Sequence, residues 1–384
     1  MRCNNIKKLI SNYECPTYVF DINELAKRAQ YLKTIFQDKA LLCYAMKANP
    51  LITNYVDKFV QRLEVCSPGE LQICINKNIK PEKIVVSGVY KDDNTILNLA
   101  SKDSIFTIES LNQYDLIKTK AISENSKIKV LLRLTSNNQF GLDKDDIIKV
   151  INDNKINNLV DILGIQFYSQ TQKKSIHKIE KELQLLDALI IELQTEQNFT
   201  VLELEYGLGL PVNYFTEVEF DEALLLSNIN SLISNMNFKG QLVIELGRGL
   251  VASCGKYITK VVDLKNNYNQ SYAIVDGGIH HISYYGQFMA TKIPNIDVYP
   301  DINLDKKEYV VCGSLCTVND VLVRQFNTRE LRLGDYLVFN LAGAYSMCEG
   351  ISLLLSRNLP KVVVIVDNEI KTIREEVKTY LINS

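Results

Sequence analysis

From about residue 41 to residue 246, short apolar runs alternate with amphipathic stretches. The runs Leu41–Met46, Leu63–Ser67, Ile84–Ser87, Ile105–Glu109, Ile128–Leu134, Ile162–Tyr168, Val201–Tyr206 and Leu242–Leu246 predict strands. A helix is predicted ahead of them over Asn23–Phe36, and others between them. The clearest is Ser175–Glu196, where Ile176, Ile179, Leu183, Leu186, Leu189 and Ile190 recur at helical spacing. Gly, Pro, Asn, Asp or Ser follows each apolar run, as turns require.

Strands that alternate with helices argue for a parallel sheet. Eight such units over roughly 220 residues suit a (β/α)8 TIM barrel. An open doubly wound sheet is the competing arrangement, but no Gly-x-Gly-x-x-Gly follows an early strand, which disfavours a dinucleotide fold. After Cys254 the pattern changes. Tyr257–Leu264, Tyr272–Val275, Tyr309–Cys312, Tyr336–Leu341 and Val362–Asp367 read as strands with few helices between them. The expectation is an α/β barrel over residues 22–253. A second, mostly β domain, sandwich- or barrel-like, takes residues 254–384, with residues 1–21 contributing the early strand Thr17–Phe20.

Composition narrows the chemistry. Hydrophobic residues make up 46% and charged residues 23% of the 384, and the net charge is -2, so no basic surface invites nucleic acid. No apolar run is long enough to span a bilayer, and Met1–Asn12 lacks the apolar centre of a signal peptide, so the cytoplasm is the expected location. The nine cysteines are scattered without a Cys-x-x-Cys pair, which suggests neither a disulfide framework nor a zinc site. Only three histidines occur, His177, His280 and His281. No metal centre is expected from so few, and a histidine-based hydrolase has little to draw on. An enzyme of this composition is expected to borrow its chemistry from a cofactor.

In a (β/α)8 barrel the active site lies at the C-terminal ends of the strands. The first strand runs out at Tyr44-Ala45-Met46-Lys47-Ala48-Asn49-Pro50. Lys47 is either a solvated lysine just past the strand or an amine poised to form an imine with a carbonyl cofactor. The eighth ends at Glu245-Leu246-Gly247-Arg248, where Glu suits a cationic ring nitrogen and Arg with backbone N–H groups suits a phosphate. The seventh ends at Tyr206-Gly207-Leu208-Gly209, a turn in which backbone can approach a phosphate or which is simply a turn.

These segments resemble the ornithine and diaminopimelate decarboxylase family, the fold-type III enzymes that use pyridoxal 5'-phosphate (PLP). Tyr44–Pro50 resembles the family's PLP-lysine motif, Cys15–Asp21 its opening strand, and Glu64–Leu71 its second barrel strand. Glu245–Arg248 resembles its Glu-Pro-Gly-Arg motif, with Leu246 for proline. Cys316–Asp320 resembles its Cys-Glu-Ser-x-Asp segment, and Ala342–Tyr345 matches its Ala-Gly-Ala-Tyr segment. The resemblance implies that Lys47 holds PLP through a Schiff base and that Glu245 pairs with the pyridinium nitrogen. It implies that Gly207, Gly209, Arg248 and Tyr345 hold the phosphate, with Glu64 and Gly247 beside the cofactor. Cys316 would enter from a partner subunit and return a proton to Cα, so a homodimer with shared active sites is implied.

Three departures bear on the substrate and the cofactor. Tyr168 stands where the family stacks a histidine on the PLP ring, and a tyrosine face stacks as well without the charge. Leu208 replaces the middle glycine of the turn. Thr317 follows the cysteine where the family's diamine enzymes carry Asp or Glu, and a hydroxyl cannot offset a buried ammonium as a carboxylate does. With Asp276-Gly277-Gly278-Ile279-His280-His281, the Cys-Thr pair looks like the branch that decarboxylates aminoacyl groups tethered to an acyl-carrier protein. The expected substrate is then an L-glutamyl-type thioester in a specialised pathway, with Thr317, Asp320 and His281 as its contacts. His280 and His281 read equally well as a structural turn.

Free diaminopimelate, ornithine, lysine and arginine are the alternative substrates. A racemase on the same barrel is expected to place an arginine, not Glu245, at the ring nitrogen. A non-catalytic regulator is expected to have lost at least one of Lys47, Glu245, Arg248, Cys316 and Tyr345. A small PLP-homeostasis barrel is expected to lack the β domain.

Overall fold

The computed structural model describes residues 3–36, 39–92, 96–216 and 220–384. Two compact units form: Ala29–Pro211 with Asp221–Leu250, and Met1–Arg28 with Val212–Phe220 and Val251–Ser384. The first strand, β1 (Thr17–Asp21), is fully buried and belongs to the second of these units. The next eight are β2 (Ala40–Ala45), β3 (Arg62–Val65), β4 (Ile84–Val86), β5 (Ile105–Ile108), β6 (Ile128–Leu134), β7 (Val160–Tyr168), β8 (Glu203–Gly207) and β9 (Gln241–Leu246). They pair in parallel in chain order, and β9 closes on β2 with Leu42 opposite Ile244, giving a closed barrel.

The local sequence explains where these elements stop and start. Barrel strands are covered on both faces, which is why β4 and β5 read as unbroken apolar or neutral runs. The helices after them open on side-chain caps. Ser67, Ser110, Asp143, Ser175 and Asp221 each accept a backbone N–H from the residue three positions on. The helix Ile176–Gln197 ends at Asn198 in the left-handed region, a conformation that asparagine tolerates. Its buried face is Ile179, Leu183, Leu186, Leu189, Ile190 and Leu193, close to the predicted stripe. Within the barrel, Cys43, Val85, Ile105, Leu131 and Val243 pack into one cluster.

The second unit is a sheet. Its later strands are β10 (Gly255–Asn267), β11 (Gln270–Val275), β12 (Ile296–Tyr299), β13 (Lys306–Cys312), β14 (Val321–Arg329), β15 (Tyr336–Phe339), β16 (Lys361–Val366) and β17 (Glu369–Arg374). The order is β14-β13-β11-β10-β1-β16-β17, with β15 against β10 and β12 against β15. The early strand sits at the centre, antiparallel to β10 with Tyr18 opposite Tyr257 and parallel to β16 with Tyr18 opposite Val362. Val19, Ile258, Val338, Val363 and Ile365 pack with Ile6 and Leu9 of the helix Cys3–Asn12. That helix and the strands β12, β14 and β17 were not among the predicted elements. β17 is an edge strand in which Ile370 and Ile373 are separated by charged and polar residues, so it lacks the apolar run that marks the others.

Leu131 is fully buried in the barrel cluster. Leu131→Ala is expected to destabilise the chain by about 3 kcal/mol, because the lost methyl groups leave a cavity that the rigid sheet cannot collapse. A lower urea midpoint at unchanged slope is the measurement that checks it.

Candidate active site

β2 ends at Ala45, and the chain turns at once through Met46–Ala48. Asn49 caps the following turn by accepting the Leu51 N–H, with Pro50 in its first position. Met46 and Ala48 point into the protein, and Lys47 is left at the strand's C-terminal end, its side chain 40% exposed. The amine is neither fully solvated nor sealed away. It donates to Glu64 Oε2 at 2.8 Å and lies 3.9 Å from Glu245 Oε1. Register puts the three side chains together: β3 and β9 flank β2, with Glu64 opposite Ala45 and Glu245 opposite Cys43.

Charge is unevenly shared among them. Burial raises the Glu64 carboxyl, but the Lys47 charge and hydrogen bond outweigh it and hold Glu64 below its ordinary value. Glu245 is pushed up to about 7, first by burial and then by the Glu64 charge, and it hydrogen-bonds to Glu64. The proton of the pair therefore resides on Glu245, while Glu64 stays ionised against Lys47. Glu205 on β8 lies fully buried near them, accepts from Gln166 Nε2 at 2.8 Å, and is pushed up to about 8 by burial and then by Glu245, with Arg62 opposing.

The phosphate candidates lie at the ends of β7, β8 and β9. Tyr168 is opposite Gly207 in register, and its ring lies so close that a Cβ on Gly207 would collide with it. Gly207 is thus required by close approach, and Gly209 by its positive φ of 59°. Burial raises the Tyr168 hydroxyl, so the phenol stays neutral. Leu208 is buried and donates its N–H to the Glu245 carbonyl at 3.3 Å. Arg248, buried beside the half-buried Gly247, donates Nε–H to Thr171 Oγ1 at 2.8 Å.

Several residues here carried no assignment from the sequence. Cys66 Sγ lies 3.9 Å from the Lys47 amine, and Thr171 is the hydroxyl that meets Arg248. Arg133 Nη1 donates to Glu109 Oε2 at 3.1 Å, and the buried Lys91 donates to the Gly88 carbonyl at 2.8 Å. Burial pushes Lys91 down to about 8. Their common signal was a charged, hydroxyl or thiol residue within a few positions of a strand's C-terminal end.

The remaining candidates belong to the sheet unit. Cys316 is exposed and Thr317 half-buried on the loop between β13 and β14. Buried Asp320 ties that loop down by accepting the Leu315 N–H at 2.7 Å and the Ile279 N–H at 2.8 Å. A groove of about 980 Å³ opens there, its lining including Cys316, Thr317, Tyr272, Lys265 and Arg324. Tyr345 adopts φ 62° directly after the buried Ala342–Ala344.

His281 is buried, with Nε2 2.8 Å from the Asn358 carbonyl and Nδ1 3.0 Å from the Tyr257 hydroxyl. A carbonyl only accepts, so Nε2 carries the proton and Nδ1 accepts. Burial and His280 push His281 down to about 3, so it stays neutral. Both ring nitrogens are committed to the protein, which favours the structural reading of His281 over a substrate contact. His280 packs on it with ring centres 3.8 Å apart.

Residues 17–343 match the family described as pyridoxal-dependent decarboxylase, C-terminal sheet domain. The chain belongs to this decarboxylase family. It is similar to the diaminopimelate decarboxylase of Aquifex aeolicus at 26% identity, over 89% of this chain and 84% of that one. It is similar to the L-glutamyl-[BtrI acyl-carrier protein] decarboxylase of Niallia circulans at 25% identity, over 89% of this chain and 86% of that one. In fold it resembles the crystal structure of Helicobacter pylori diaminopimelate decarboxylase complexed with L-lysine, with a TM-score of 0.86, 22% identity and 97% of each chain covered. The enzyme is a PLP-dependent amino-acid decarboxylase, a carboxy-lyase. No helix among its described residues is long and apolar enough to cross a membrane.

Glu205 generates a pH prediction. Its carboxyl is raised from 4.5 to about 8 in the fold, so the folded state holds a proton that the unfolded state releases. The stability it contributes is complete below the unfolded value and is lost as pH rises through the folded one. Glu205→Gln is expected to flatten the fall in thermal midpoint over that window, measured by circular dichroism on wild type and variant in parallel.

Proposed function

We propose that this decarboxylase acts on an L-glutamyl-type aminoacyl group carried as a thioester on an acyl-carrier protein, in a specialised biosynthetic route. The observation that carries the reading is Thr317. It stands next to Cys316 where a carboxylate would be needed to meet a substrate's distal ammonium. The groove beside Thr317 offers more room than an amino-acid side chain needs, which supports an extended substrate. Similarity to the carrier-dependent relative agrees with it. Similarity to the Aquifex enzyme favours free diaminopimelate as the second reading.

The barrel's residues fit the cofactor. Lys47 offers an amine at the mouth for covalent attachment, and Tyr168 a neutral ring face for stacking. Among the described residues, the Gly209 and Leu210 N–H groups donate to no protein acceptor, which suits a phosphate next to Thr171 and Arg248. Bound PLP supplies an electron-accepting ring that takes up the electron pair left when carbon dioxide departs.

The remaining work falls to side chains. Glu245, its carboxyl raised to about 7, would hold a proton at a ring nitrogen and balance the resulting cation. Glu64 keeps the Lys47 ammonium oriented. Cys316 of the partner subunit returns a proton to Cα after carbon dioxide leaves. In this reading the enzyme is a homodimer with shared sites, and Asp320 holds the cysteine loop in shape.

The test is carbon dioxide release from the purified chain. Carrier-tethered glutamate is expected to outpace free diaminopimelate, ornithine, lysine and arginine, and efficient turnover of a free diamine would overturn the proposal. Independently, Glu245→Gln is expected to lower kcat by about a hundredfold or more while PLP stays bound, because the amide neither supplies the proton nor balances the ring cation. Visible absorbance of the bound cofactor and the rate of carbon dioxide release check the two halves separately.

A further inference from the structure

Lys173 is one of the most deeply buried cations in the barrel unit, its side chain fully inaccessible. Desolvating an ammonium is costly, so its partners are informative. Its three N–H bonds meet three acceptors: Glu182 Oε2 at 2.7 Å, the Tyr206 hydroxyl at 3.0 Å and the Gly207 carbonyl at 3.0 Å. Tyr206 donates in turn to Glu182 Oε2 at 2.6 Å, and Ser169 donates to Glu182 Oε1 at 2.6 Å. The Lys173 backbone N–H donates to the Gly209 carbonyl at 2.9 Å, and its stem packs where a Cβ on Gly209 would lie.

One residue therefore grips the turn after β8 at both glycines. In a trans peptide the C=O and the following N–H point in opposite directions. Holding the Gly209 carbonyl fixes where the Leu210 N–H points, and that N–H donates to no protein acceptor among the described residues. Holding the Gly207 carbonyl likewise fixes the Leu208 N–H, which reaches the Glu245 carbonyl at 3.3 Å. Through Ser169 and Lys173, Glu182 also pins both ends of the loop that carries Thr171, the partner of Arg248. The turn has Leu208 at its centre, and the clamp supplies the definition that this sequence does not take from a run of glycines.

We propose that Lys173 is a positioning residue for the cofactor's phosphate: clamped to Glu182, it locks the Gly207–Gly209 turn so that the Leu210 N–H is presented to a phosphate alongside Thr171 and Arg248. This rests on the phosphate site assigned above. Lys173 does not touch the phosphate, since its ammonium is fully spent on protein acceptors.

The test compares PLP with pyridoxal, which has the same ring and aldehyde but no phosphate. Both are titrated into the cofactor-free full chain, and the ratio of their dissociation constants is read from the visible absorbance. Lys173→Met is expected to shrink the preference for PLP by about tenfold or more while leaving pyridoxal affinity within about twofold. Because removing one member of a buried ion pair strands the other, the double variant Lys173→Met, Glu182→Met is measured beside it. Replacing both members with apolar side chains commonly preserves folding. The double variant is expected to show the same loss of preference at an undiminished thermal midpoint. A folded variant that keeps the wild-type ratio overturns the clamp. A wild-type chain that binds PLP no better than pyridoxal overturns the phosphate site itself, and the clamp with it.

Discussion

The barrel mouth depends on one electrostatic constraint: two buried carboxyls and one half-exposed amine must share charge without enough water to solvate it. Lys47 can satisfy one carboxylate closely, and it satisfies Glu64. Glu245, buried next to an ionised neighbour, keeps its proton instead. That asymmetry separates the two carboxyls into an orienting anion and a proton holder, although both are glutamates at the ends of strands flanking β2. Glu205 extends the pattern deeper, where burial leaves a third carboxyl protonated against Gln166.

The same economy of charge appears at the edge of the site. Lys173 and Glu182 are removed from water, and each hydrogen-bonding group is met by a partner that shapes the glycine turn or the loop after β7. In the sheet unit, Asp320 performs a comparable task for the loop of Cys316 and Thr317, accepting two backbone N–H groups from within a buried position. In both cases a buried charge is tolerated because several hydrogen bonds converge on it, and the outcome is a defined backbone where a ligand is to be met.

Much of the fold was legible because its elements carry local signals. Parallel barrel strands are buried on both faces, so most read as largely apolar runs, and Ser or Asp caps mark the helices that follow. The strand β1 was legible from its apolar centre, Tyr18–Phe20, and it is buried throughout. The strands β14 and β17 were not, since one face or an edge meets water and their sequences mix charge with β-branched residues. Lys47, Glu245 and Arg248 were legible because they stand at strand ends, where a barrel gathers chemistry. Lys173 and Glu182 were not. They lie nine residues apart on a loop and a helix, and nothing in their spacing indicates that both turn inward to meet Tyr206.

The sequence by itself determined the alternation of strands and helices, the change to a β domain, and the residue types available at each strand end. These follow from periodicity and from side-chain chemistry that each residue carries wherever it lies. Only the tertiary structure decided how charge is divided at the mouth. The proton on Glu245 and the low-lying carboxyl of Glu64 arise from burial and from distances across three strands, and no single segment encodes them. The structure also decided that His281 is tied by both nitrogens to Tyr257 and Asn358, because a ring's availability depends on what packs around it.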